Sequence, residues 1–158
     1  MSVIDIELAM AHLLAEPDDQ VLIQAQLDAA EEAAKQFMQR RFYADQDDLD
    51  AAKSDVPARL SACRARYDAA KVLADLVEDD GDRCRLREQA RRAYGDELEE
   101  IDMQAYGIVI NAAITAACLL KLGHLFANRE EVVTGTTAVE LPLASKSLLM
   151  PYRIRMGA

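Results

Sequence analysis

The chain has 158 residues and a formal net charge of −10, with 28 alanines, no tryptophan, 6 glycines and 4 prolines. So few turn formers exclude a sandwich or barrel, and the Ala-, Leu-, Glu- and Arg-rich remainder predicts helices. The acidic balance excludes a general nucleic-acid binder, which needs clustered Lys and Arg, although the charge is uneven: residues 1–50 carry net −9, 51–105 net −3 and 106–158 net +2.

The start, MSVIDIELAM, lacks the basic and apolar regions of a signal peptide. Asp5 is expected to cap a helix over residues 6–14, which Pro17 ends. Asp18 and Asp19 then read as cap and first-turn acids of a long helix running to about Arg41, with Arg40 and Arg41 at its negative end. Ile23, Leu27, Ala30, Ala34, Phe37 and Met38 recur at helical spacing as a buried stripe, and Asp28, Glu31, Glu32 and Lys35 fall on the solvated side. The polar stretch 43–55 reads as a linker or frayed helix. A second helix restarts at Val56, with Pro57 in its first turn and an apolar stripe from Leu60 through Cys63, Tyr67 and Ala70 to Val77. Residues 78–82 (EDDGD) read as a turn with Gly81 as the stop, and a helix with a thin stripe (Leu86, Ala90, Ala93, Leu98, Ile101) follows from Arg83. The two form an expected antiparallel hairpin with a charged outer surface.

Residues 108–128 make the most apolar helix, starting after a weak break at Tyr106-Gly107. Its apolar run is shorter than the roughly 20 residues a membrane span needs, so it reads as a core helix and no membrane partner is expected. Residues 128–142 turn β-branched, with Gly135 and Pro142, and read as an extended loop or short hairpin. Ser145 to Met150 make one helical turn before Pro151 and a basic tail.

No catalytic constellation emerges. His12 and His124 each sit in an apolar helical pattern without partner ligands, and there is no HExxH, phosphate loop or GxSxG. Cys63, Cys84 and Cys118 form no CxxC and read as reduced thiols, a Cys63–Cys84 bridge being conceivable but unsupported. The chain is therefore read as no enzyme, with no metal and no cofactor. Arg83, Arg87 and Arg91 share a helix face; they read as a solvated face paired with Glu88 and Asp96, or as a contact for phosphate or an acidic neighbour.

The ends of the chain carry a more specific pattern. His124, Phe126, Asn128, Arg129 and Glu130 make a His-aromatic-Asn-Arg-Glu run. Thr134 to Thr136 follow as Thr-Gly-Thr, then Leu141-Pro142, then Leu148, Leu149, Pro151, Tyr152 and Arg153. At the other end stand a helix ending in His-Leu-Leu, an Asp pair and a long helix closing in Arg-Arg. Over residues 3–43 and 108–155 this resembles the head–tail connector (adaptor) proteins of long-tailed bacteriophages and prophages. Against that family, residues 44–105 stand as an inserted helical hairpin where a short link is usual. The resemblance implies a single all-α connector domain over 1–158: a small helical bundle, the insertion, and an extended C-terminal arm over 128–158 with a short terminal helix.

It further implies a homo-oligomeric ring, docked under a portal protein and bound below by tail-completion or stopper proteins, through which double-stranded DNA passes without being gripped. The place would be the virion head–tail junction, after assembly in the bacterial cytoplasm. The arm carries more apolar residues than a small core needs, so subunit or portal contacts are expected from Arg129, Val133, Thr134, Val139, Leu141, Pro142, Leu148, Leu149, Pro151, Tyr152 and Arg153. An arm folded on its own core is the competing arrangement. Asp28, Glu31 and Glu32 are the candidates for an acidic channel wall. The competing function is an acidic helical binding module, a chaperone or regulator that engages a basic protein.

Overall fold

A computed structural model describes residues 2–128 and 142–154. In chain order the elements are α1 (Ile6–Leu13), α2 (Gln20–Met38), β1 (Phe42–Tyr43), α3 (Gln46–Asp75), α4 (Asp80–Ala105), β2 (Ile108–Val109), α5 (Ala112–Ala127) and α6 (Pro142–Leu149). Single 3-10 turns lie at Pro17–Asp19 and Met150–Tyr152. The fold is all-α, with one tiny β pairing among the described residues. The chain divides into two compact units, residues 1–46 with 108–158, and residues 47–107. No helix among the described residues is long and apolar enough to cross a membrane.

The first unit is a bundle of α1, α2, α5 and α6. The Asp5 carboxylate accepts the Glu7 N–H at 2.9 Å and so caps α1. Pro17 starts a 3-10 turn instead of the helix itself, and Asp19 makes no side-chain cap bond to α2. Gln39, left-handed at φ 55°, stops α2, so Arg40 and Arg41 lie beyond its end. Ile23, Leu27, Ala30, Ala34 and Met38 of α2 are buried as their spacing predicts, against Ile114, Ala117, Cys118 and Leu122 of α5. Each fully buried Leu or Ile contributes roughly 1.5–3 kcal/mol. Phe37 is only half-buried.

Ile108 and Val109 are strand and not helix. They pair in parallel with Phe42 and Tyr43, the Ile108 N–H donating to the Arg41 carbonyl (3.1 Å) and the Ile110 N–H to the Tyr43 carbonyl (2.8 Å). Branched side chains favour the extended form here. Asn111 begins α5 afresh by accepting the Ala113 and Ile114 N–H groups at 3.0 and 3.1 Å. The pairing sets the two points where the chain leaves and re-enters this unit side by side, the arrangement that tolerates a long excursion.

The second unit is an antiparallel helical pair. Tyr67 stacks on Tyr94 at 4.7 Å, and Asp75 pairs with Arg87 at 2.7 Å. Arg66 pairs with Glu97, and Gln104 accepts from Arg59 while donating to the Ala52 carbonyl. The stretch expected as a linker or frayed helix is helical from Gln46, where α3 starts, and α3 passes through Pro57. Asp47 and Asp48 sit where the helix dipole favours acids, and the following alanines propagate the helix. Pro57 has no N–H for the Lys53 carbonyl, a loss tolerated because both residues are exposed. Asp79 caps α4 by accepting the Asp82 N–H at 2.8 Å, which places Gly81 inside the first turn of α4. Few large side chains are buried in this unit, and Val72, Leu73 and Leu76 are exposed.

Candidate assembly surfaces

Three acids of α2 were candidates for a channel wall, and the helix separates them. Asp28 and Glu32 are exposed. Glu31 is 1% exposed and belongs to the core, so it is withdrawn from the solvent face. Its Oε1 accepts the Val3 and Ile4 N–H groups, both at 2.8 Å, and its Oε2 accepts Lys35 Nζ at 3.3 Å. Lys35 in turn lies 4.8 Å from the centre of the Phe42 ring. A buried carboxylate persists only when hydrogen-bonded and paired in this way. Periodicity missed it because the pattern counts every Glu as polar, whereas this one pins the chain start to α2. The nearby Cys118 thiol is pushed up to about 12 by burial, with the Glu31 charge adding to the effect.

The C-terminal candidates divide in the same manner. Arg129, Val133, Thr134, Val139 and Leu141 lie outside the described residues, and Pro142 opens α6. Leu149 is 5% exposed within its own bundle, which removes it from the interface candidates. Leu148 and Tyr152 are partly buried against the same core. The segment is tied down further by the backbone: Ile154 N–H donates to the Met38 carbonyl (3.1 Å), and Arg40 donates to the Tyr152 carbonyl (3.3 Å). Residues 142–154 therefore dock on their own subunit. The apolar side chains that find cover there do so because α2 and α5 leave a seam lined by alanines. Pro151 and Arg153 remain exposed, with the Arg153 guanidinium 5.1 Å from the Phe37 ring centre. At the end of α5, Asn128 donates to the His124 carbonyl at 2.9 Å, and both residues are exposed.

The hairpin arginines are ion-paired within their own unit. Arg83 pairs with Asp80, Arg87 with Asp75, and Arg91 and Arg92 both with Glu88. Hydrogen bonds from Arg91 and Arg92 hold the Glu88 carboxyl down at about 2. That arrangement matches a solvated, self-neutralised face. All three cysteines are free, Cys63 and Cys118 buried and Cys84 exposed. No cluster of three His, Cys, Asp or Glu side chains able to hold a metal occurs among the described residues.

The fold and these surfaces define an all-α protein of two helical units. A scan against models of protein families and searches of curated proteins and of solved structures return no match.

Proposed function

We propose that this chain is the structural subunit of a phage head–tail connector ring. The ring docks under the portal protein, extends the DNA channel and offers its lower face to tail-completion or stopper proteins at the virion head–tail junction. The observation that carries this reading is the joint pattern from His124 to Arg153 together with the capped helix, Asp pair and Arg-Arg at the other end. The pattern's described residues have structural work that fits it: Asn128 closes α5 on His124, and Leu148, Leu149 and Tyr152 fix the last helix to the bundle. A body made rigid by its own terminal helix suits a repeated ring element. The channel wall draws on Asp28 and Glu32, since DNA carries one negative charge per about 1.7 Å of axis and slides past acid. The role needs no turnover, metal or cofactor.

Light scattering of the chain mixed with its cognate portal tests the reading. A discrete closed ring bound to the portal is expected. The net −9 of residues 1–50 also favours a second reading, an acidic helical module that engages a basic protein. A concentration-independent monomer or dimer that ignores the portal would select that alternative.

A further inference from the structure

A leucine stands where a helix usually ends in glycine. Leu14 is left-handed (φ 51°, ψ 40°), and its side chain is 91% exposed. Backbone strain and solvent exposure at one residue point to a use outside the fold. Seven residues later Val21 is 84% exposed, the next most exposed large apolar residue among the described residues. Glu16 and Asp18, both exposed, lie between them with Asp19. The corner between α1 and α2 is thus an apolar knob set in acid.

The same bundle carries a groove of about 190 Å³ between α2, α5 and α6. Its floor includes Ala30, Ala33 and Ala117, and Phe37, Lys121 and Lys146 border it. A cavity of roughly 150 Å³ accepts a benzene-sized group, so an aliphatic side chain fits. Neither lysine forms an ion pair with a described residue. The groove therefore matches the knob in both respects, apolar floor to apolar tip and basic rim to acidic surround.

Their placement decides the symmetry. At 3.6 residues per turn Val21 and Ala30 lie half a turn apart on α2, on opposite sides of the helix. Val21 and Ala33 are about 18 Å apart along the axis, too far for one copy to fill its own groove. A knob and its socket on opposite sides of one rigid body make a heterologous contact, which repeats head to tail and closes into a ring when the rotation permits.

We infer that the α1–α2 corner of each copy, led by Leu14 and Val21, seats in the α2–α5–α6 groove of the next copy. This contact rests on the ring reading above and names the surfaces that would build it.

Two variants of the full chain with one exposed cysteine each test it, Val21→Cys and Ala33→Cys, both in a Cys84→Ser background that keeps only the buried Cys63 and Cys118 besides, and one enlarged by a tag. Under mild oxidation the mixture should give a Val21→Cys·Ala33→Cys heterodimer several-fold in excess of either homodimer. Leu14→Gly added to the first variant relieves the left-handed position, so its thermal midpoint should hold or rise while the heterodimer yield falls. A heterodimer no more abundant than the homodimers, or a yield undiminished by Leu14→Gly, overturns the inference. Heterodimer without any ring on the portal would sink the connector reading and leave the contact standing. A portal-bound ring without the heterodimer would do the reverse.

Discussion

Glu31→Ala tests the physical account of the bundle most sharply. The substitution removes the acceptor of two backbone N–H groups at 2.8 Å, one of them on the buried Ile4, and leaves Lys35, 14% exposed at its side chain, without its carboxylate. A hydrogen bond to a charged group contributes about 1.5–3 kcal/mol, and stranding one partner of a buried pair costs about 3–5 kcal/mol. A loss of about 3–5 kcal/mol is therefore expected for Glu31→Ala. Glu31→Gln keeps an oxygen for both amides but turns an amide donor towards Lys35, so a loss of about 1–2 kcal/mol is expected. Against a typical total stability of about 5–15 kcal/mol, the alanine variant is severely weakened. Urea unfolding followed by far-UV circular dichroism measures the difference, and amide exchange at Val3 and Ile4 should accelerate first. Both variants lying within about 0.5 kcal/mol of the parent, the range of ordinary surface changes, would refute the assignment.

Pro57→Ala should raise stability by about 1–3 kcal/mol in the same urea assay, because it returns an N–H to the interior of α3; no gain would show that the helix does not pass through residue 57 as described. Leu149→Ala should cost about 2–5 kcal/mol and loosen α6, whereas an unchanged midpoint would mean the segment is not packed on its own core. The Glu88 carboxyl, held at about 2 against an ordinary 4.5, should stay ionised as pH falls between those values. Its contribution, full above the unfolded value, is lost progressively as pH falls from about 4.5 to about 2; a carbon-detected titration with a midpoint near 4.5 in low salt would contradict the Arg91 and Arg92 bonding. Cys84 should react with thiol reagents in the folded protein, while Cys118, pushed to about 12, should react only on unfolding; equal rates would overturn the burial assignment.

What was legible in the sequence was local or periodic. Asp5 as a cap, the α2 stripe and the apolar α5 follow from spacing alone, and α2 shows that stripe nearly residue for residue. The failures have physical causes. Ile108–Val109 read as helix in the sequence because their strand partners stand 66 positions earlier, and pairing at that distance leaves no local trace. Residues 46–55 leave a linker and a frayed helix both open because acids dominate, yet acids at a helix start are favoured, and the alanines after them carry the helix on to Pro57. By spacing Glu31 is a surface residue, because no periodic rule sees the two amides that face it. For Leu148, Leu149 and Tyr152 the sequence leaves open an outward-facing arm and an arm folded on its own core, because the residues that cover them lie on α2 and α5, more than twenty positions away; the packing follows the second. Leu14 closes the His-Leu-Leu run, but nothing in that run tells that its side chain is exposed, and the lysine-rimmed groove joins α2, α5 and α6 from distant parts of the chain.

Electron microscopy of the chain with its cognate portal tests the central claim most directly. A closed ring of identical subunits, coaxial with the portal and continuing its channel, is the predicted result. A portal that remains bare at saturating concentrations of this chain would contradict the connector assignment.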